Sequence, residues 1–411
     1  MARILILIGG PLWTNPRTQK EADVLADIGH EVSVGGVWFD SLSESRDRAI
    51  YAGKPWTFRP ILDFRPRTLR GRIKNIQVRA RTRAARELFK RLGLVLPAIH
   101  GYGHSEMLAT ALKLEAELTI VHSEAGLWVG DRLLDRNMNV GADFEDWFSE
   151  DLAGHDRALK PITRIKELER RHVRECAYLV TTSNALAKAL AAEYESRTPA
   201  TVYNVFPPDS TRGATKPGRD RVSSEQVSLH WFSQTIGPGR GLELLFESLR
   251  RVEVPCEIHL RGAVTAQVKA ALQSQIPPGW RDRIYFHGTV SNEELPRRIA
   301  EHDVGLALES STTRSRDLTI TNKLFQYMQG GLAVIATATA GQREVFSAAP
   351  GIGMLVHEGN ASELAGAITA LVSDRTLLMK IRETAREHFN HRFSWAEQRA
   401  AIVGEVSRAL A

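Results

Sequence analysis

Along the chain, short apolar runs alternate with stretches whose apolar residues recur at helical spacing. In the first half the runs are RILILI (3–8), EVSVGGV (31–37), LTIVH (118–122), NVGADF (139–144) and YLVTTS (178–183), with a last short one from Val202 to Phe206. In the second half they are VSLHWFS (227–233), EIHLRG (257–262), IYFHG (284–288), VGLALES (304–310), LAVIAT (332–337) and GIGMLV (351–356). Near-continuous apolar strands separated by helices imply parallel sheets covered on both faces. About six strands in each half predict an α/β chain of two doubly wound, Rossmann-like domains. The stretch PPDSTRGATKPGRDRVSSEQ has no apolar period and is rich in Pro, Gly, Ser and charge, so it reads as the divider. The predicted organisation is an amino-terminal domain over 1–206, a linker over 207–226, a carboxyl-terminal domain over 227–385 and a closing helix over 386–411. Doubly wound sheets bind ligands beyond the carboxyl ends of their strands. Two such domains facing each other across a cleft would place the chemistry there.

Composition narrows the class. The chain has 411 residues, 43% hydrophobic and 25% charged, which excludes a disordered or collagen-like protein. Its two cysteines, Cys176 and Cys256, exclude a disulfide scaffold and show no zinc-ligand spacing, which suits a reducing, cytoplasmic setting. No apolar run reaches the roughly 18 residues that a bilayer span needs. The opening ILILIGG is short and lacks a basic leader, so it reads as a buried strand and not a signal peptide.

Charge is unevenly placed. Residues 59–91 hold 12 Lys or Arg against Asp63 and Glu87, a local charge of +10 in a chain whose net charge is +6. Within this stretch Ile73, Ile76, Ala80, Ala84 and Leu88 share one helix face, and Arg79, Arg83, Arg86 and Lys90 form a stripe on another. Such a helix suits an anionic membrane surface or a pyrophosphate-linked acceptor, each basic residue near a charged surface contributing ~1 kcal/mol. A solvated face is the plain alternative. Phe89 is the single aromatic residue within the stripe, too few for a run of stacking side chains, and no reader motif accompanies it, so nucleic acid is not an expected partner.

Candidate chemistry in the second half begins with VSLHWFS running into QTIGPGRGLELLFESL. A glycine-rich turn between strand and helix, with Gly237, Gly239 and Gly241 around Arg240, exposes backbone N–H groups at a positive helix end, where phosphate is favoured. Arg240 adds a planar donor matched to phosphate oxygens. A second motif is DLTITNKLFQYMQGGLAVIATATAGQREV (317–345). Thr321 or Asn322 reads as an N-cap, Leu324, Phe325 and Met328 face inward, and Gly330-Gly331 ends the helix. Lys323 can meet a phosphate charge and Gln326 a sugar hydroxyl. Both motifs also read as an ordinary tight turn and a capped core helix.

These residues resemble the GT-B glycosyltransferases, most closely the retaining family 4. GGPLWTNPRTQKEADVLADIGHEV is similar to that family's opening strand, glycine loop and first helix. QTIGPGRGLELL resembles its donor loop, HGTVSNEELPRRIAEHDVGLAL its following strand stretch, TNKLFQYMQGGLAVIAT its "NKLFEYMAAGKPVIAT", and FSWAEQ its last crossover helix. The resemblance implies two Rossmann-like domains facing across a cleft and transfer from a nucleotide-diphosphate sugar to a saccharide or lipid-linked saccharide, with retention and no metal needed for the chemistry. It implies Arg240 and Lys323 as the charge-bearing catalytic residues. It places Gly9, Gly10, Gln234, Gly239, Gly241, Thr321, Asn322, Leu324 and Gln326 against the donor. It also implies a part in polysaccharide biosynthesis at the inner membrane face. Two departures stand out. Gln234 occupies the family's usual arginine position. Of the family's glutamate pair, the later is Gln326 and the earlier falls near Leu318, where no acid stands. A non-catalytic nucleotide-sugar binder and a nucleotide-sugar epimerase remain alternatives on this pattern.

In the first half, Gly9-Gly10 and Asn15-Pro16-Arg17 mark a strand-to-helix turn. His122, at a strand's carboxyl end, is a candidate general base or sugar contact. Asp143, Glu145 and Asp146 crowd three acids after another strand, where they would orient acceptor hydroxyls together with Arg17, simply be solvated, or, as a D-x-E pair, hold a metal.

Overall fold

The computed structural model describes residues 1–65, 68–207 and 220–411. Most of the predicted divider, residues 208–219, lies outside the described residues. The chain divides into two compact units, Met1–Val202 with Arg399–Ala411, and Tyr203–Gln398. The return to the first unit falls within the last helix, Trp395–Ala409, which a break after Arg392 separates from Arg375–Arg392.

The first unit is built on strands β1 (Arg3–Leu7), β2 (Glu31–Trp38), β3 (Thr57–Asp63), β4 (Leu118–Val121), β5 (Val140–Phe144), β6 (Tyr178–Thr181) and β7 (Ala200–Thr201). They lie in the order β3-β2-β1-β4-β5-β6-β7, every pair parallel. In the second unit β8 (Val227–Thr235), β9 (Cys256–Ala263), β10 (Ile284–His287), β11 (Val304–Ala307), β12 (Ala333–Thr337) and β13 (Gly353–Val356) lie in the order β10-β9-β8-β11-β12-β13, again all parallel. Both sheets are thus the doubly wound type expected.

Two differences have local causes. β3 escaped the apolar pattern because it is an edge strand, only partly covered, and carries the exposed Arg59 and Pro60; proline is tolerated at an edge, where a missing N–H leaves no ladder bond unmade. The strand expected at Val202–Phe206 lies earlier, at Ala200–Thr201. The chain order reverses between β1 and β4 in the first sheet and between β8 and β11 in the second. Adjacent loops leave a sheet in opposite directions at such a reversal and open a crevice at the strands' carboxyl ends.

The second unit also buries a row of histidines. The His230 and His302 rings stack with centroids 4.5 Å apart, and His259 lies 4.7 Å from His302 and 5.2 Å from His287. Strand register sets part of the row: His230 is the direct neighbour of His259, while His302 joins from the turn before β11 and His287 meets His259 through ring nitrogens 2.9 Å apart. Burial holds all four imidazoles below their usual pKa, His259 at about 4, with the Arg261 cation pushing His230, His287 and His302 the same way.

Candidate functional site

Both reversal points carry the chain's candidate chemistry. In the second unit β8 leads into the glycine turn and β11 ends just before Glu309. The turn packs closely: Gly241 has φ +82°, and a Cβ there would lie 2.4 Å from the Leu308 carbonyl oxygen. Glycine is required for both reasons. The turn, the end of β11 and the start of the helix Asn322–Gly330 therefore meet in one corner.

Lys323 Nζ reaches Glu309 Oε1 at 2.5 Å, and the Thr321 hydroxyl donates to the same oxygen at 3.0 Å. Thr321 is the N-cap, but its side chain turns to Glu309 and makes no cap bond. Among the described residues no side chain accepts from the first N–H groups of this helix, at the end where the helix dipole favours an anion. Burial alone would raise the Glu309 carboxyl, yet the adjacent Lys323 charge outweighs it and holds it below its ordinary value. Glu309 is ionised at neutral pH and fixes Lys323 in place. The end of β12 is tied in as well, the Thr337 hydroxyl donating to the Glu309 carbonyl at 2.6 Å.

The remaining predicted donor residues fall around this corner. Arg240 is exposed and donates from Nη1 to the Ser233 hydroxyl at 2.9 Å; Gly239 N–H donates to Glu243 at 2.9 Å. Gln234, at the end of β8, is exposed. Gln326 is buried on the helix. Leu324 is fully inside the core, so its side chain cannot meet a ligand and only its amide can serve. Asp317, beside the position where the family's earlier glutamate was sought, accepts from Ala340 N–H at 2.9 Å and so caps the helix Ala340–Ala348. Glu309 was missed by sequence reading. Its only signal is its place, an acid directly beyond a buried strand, since it stands 14 residues from Lys323.

At the first unit's reversal point Gly9 follows β1, and a Cβ there would lie 2.7 Å from Ser123 Oγ. Gly10 is half-buried beside it, and its carbonyl accepts from Val37 N–H at 3.0 Å. His122 follows β4 as the N-cap of the helix Ser123–Leu134. From the helix Pro16–Asp27, Arg17 and Glu21 reach into this edge. Arg17 Nε donates to Asp143 Oδ2 at 2.5 Å, and its other nitrogens donate to the carbonyls of Val202 at 2.6 Å and Thr181 at 3.2 Å. Glu21 accepts from Tyr178 Oη and lies 3.0 Å from His122 Nε2. Arg17, Glu21, His122 and Asp143 are each at most 4% exposed.

Arg17 thus ties the ends of β5, β6 and β7 to the first helix, and Asp143 is engaged by it. Burial pulls the His122 imidazole toward neutrality, but the Glu21 hydrogen bond and the Asp143 charge prevail, so its pKa is raised. The shift favours its protonated form. Burial, reinforced by the Arg17 charge, lowers Lys20 to about 7, and burial raises the half-buried Glu145. Asp146 is exposed. Glu21, His122 and Asp143 present ligand atoms within 4.8 Å of one another, close enough for a cation, but the Arg17 guanidinium already supplies positive charge at Asp143.

Residues 230–374 match the family model described as glycosyl transferases group 1. No curated protein matches the chain by sequence. Among solved structures, sucrose-phosphate synthase from Thermosynechococcus elongatus superimposes with a TM-score of 0.69 at 17% identity, covering 100% of this chain and 99% of that one. Anabaena HepE in complex with UDP and glucose gives 0.68 at 17%, covering 99% and 100%. A mutant of S. aureus TarM, in complex with fondaparinux, alpha-GlcNAc-glycerol and UDP, gives 0.67 at 10%, covering 100% of both chains. The fold is that of the GT-B glycosyltransferases, two parallel-sheet α/β units. The chain carries a group 1 glycosyltransferase domain, and its enzyme class is glycosyltransferase.

Proposed function

We propose that this protein moves a glycosyl group from a nucleotide-diphosphate sugar to a saccharide or lipid-linked saccharide, with retention, at the inner face of a membrane. The observation that carries the reading is Lys323, held by Glu309 at the start of the helix Asn322–Gly330, inside the segment that matches the group 1 family. The UDP bound by HepE and TarM supports a nucleotide donor, and the alpha-GlcNAc-glycerol in the TarM complex supports a saccharide acceptor.

As the bond from the anomeric carbon to the diphosphate breaks, negative charge grows on the departing oxygen. Lys323, Arg240 and the free amides of Asn322 and Lys323 stabilise it, the kind of fixed electrostatic contact that often dominates catalysis. Glu309 offsets the Lys323 charge, so Arg240 is needed to leave the corner net positive. Gln326 takes a ribose hydroxyl. With charge supplied by side chains, the chemistry requires no metal. In retaining transfer the acceptor oxygen attacks from the face the leaving group departs, and its proton passes to the departing phosphate oxygen. That route asks for no general base. The first unit's acids, Glu145 and Asp146, would orient the acceptor.

The test is a screen of sugar nucleotides for nucleoside diphosphate release with saccharide and lipid-linked acceptors, and the anomeric configuration of any product read by NMR. Release with an unchanged anomeric configuration is expected. A protein that neither releases diphosphate nor binds any sugar nucleotide by calorimetry rejects the reading, and an inverted product rejects retention.

A further inference from the structure

The helix Leu69–Leu92 is 24 residues long, which at 1.5 Å per residue makes it about 36 Å. It rests on the first unit through Asn75, Val78, Thr82 and Ala85. The face that sequence periodicity marks as apolar is not the one it buries. Leu69 is 74% exposed, Ile73 48% and Ile76 67%, with Ala80 and Ala84 exposed in line behind them. At 100° per residue these side chains lie opposite the buried row. Arg72, Arg79, Arg83, Arg86 and Lys90 flank them on one side, and Arg70, Lys74 and Arg81 on the other. The helix carries nine Lys or Arg and one acid, Glu87. Just beyond its Gly93 cap, Leu94, Val95 and Leu96 are exposed as well.

We propose that this helix is a docking surface for an anionic lipid bilayer, lying in the plane of the interface. Leu69, Ile73 and Ile76 enter the acyl boundary and the two basic rows meet lipid phosphates. Charge complementarity selects the partner's sign, and the aliphatic pole selects its kind. A bilayer buries isoleucine in the acyl boundary beneath its phosphates, whereas a nucleic-acid backbone offers nothing to bury it against. Basic residues alone would give a salt-sensitive attraction to any polyanion; the apolar pole makes the surface specific for lipid. This deepens the reading above by naming the surface through which a lipid-borne acceptor is met. It is read by vesicle binding and not by transfer, so its failure leaves the transferase reading standing.

The experiment is co-sedimentation of the full chain with vesicles of phosphatidylglycerol and phosphatidylcholine, against phosphatidylcholine alone, with circular dichroism to verify folding. Wild-type protein is expected to sediment with the anionic vesicles and not the neutral ones. The paired substitution Ile73→Glu and Ile76→Glu, at solvent-exposed positions, is expected to weaken binding at least ~10-fold, and so is reversal of Arg79, Arg83 and Arg86 to Glu. Three results overturn the proposal: no sedimentation of the wild type, undiminished binding by the isoleucine variant, or equal retention of wild type and isoleucine variant on duplex DNA with none on vesicles.

Discussion

The carboxyl edges of the two sheets meet the same problem, ionisable groups placed where strands end, and solve it in opposite ways. In the first unit Arg17, Glu21, His122 and Asp143 are almost wholly withdrawn from water and compensate one another. In the second unit Arg240 and Gln234 reach solvent, and the Lys323–Glu309 pair keeps part of each side chain exposed. Charges compensated inside the protein hold its own strands together, because a buried ion that loses its partner is left with its full desolvation cost. Charges left near water at a helix start are available to a ligand. The first edge is thus a frame, and the second a receptor for an anion.

The largest effect is expected where that frame is broken. Arg17→Ala should cost about 3–5 kcal/mol of stability, since it strands Asp143 in the interior; urea unfolding monitored by tryptophan fluorescence measures it, and a loss below about 1 kcal/mol would make the pair no more than a surface contact. Next comes Lys323→Ala, expected to lower transfer about 100-fold with the fold intact, each charged hydrogen bond being worth roughly 1.5–3 kcal/mol. Steady-state diphosphate release reads it, and unchanged kinetics would remove Lys323 from the donor site.

The histidine row sharpens the contrast between the edges and the interior behind them. His259, at about 4 when folded, takes up a proton on unfolding at any pH between there and its ordinary 6.5. The unfolded chain then binds more protons, so stability is full above about 6.5 and falls as pH drops toward 4, by about 1.4 kcal/mol per pH unit for each such proton. Asp220 opposes this shift, while Arg221, Arg261 and the neighbouring His287 reinforce it. Unfolding midpoints at pH 7.5 and 5 test the sign; equal midpoints would show that His259 is not held neutral. The smallest effect is expected for Arg240→Ala, about 10-fold on transfer with little change in stability, because the exposed guanidinium forms, among the described residues, one bond, to Ser233. If Arg17→Ala instead abolished donor binding while leaving stability untouched, the roles assigned to the two edges would be reversed.

How much of this was legible in the sequence depended on whether local periodicity carried it. Strands buried on both faces announced themselves as apolar runs. β3 did not, because a partly covered edge strand with Pro60 has no such run. The helix Leu69–Leu92 showed its apolar and basic faces, but not that Ile73 and Ile76 point to solvent while Asn75 and Thr82 turn inward. A face is a property of the helix, and its covering is a property of what packs on it. The glycine turn and the Lys323 helix were visible as motifs because backbone geometry demands particular residues at fixed spacing.

The sequence by itself determined the two parallel sheets, their doubly wound order and the cationic groups at the second reversal point, since these follow from hydrophobic period, turn chemistry and charge within short windows. Only the tertiary structure decided that Arg17 answers Asp143 126 positions away, that Glu309 holds Lys323, and that four histidines form one row. The physical reason is that compensation and burial of charge depend on distance in space, which strand pairing sets and no local pattern records.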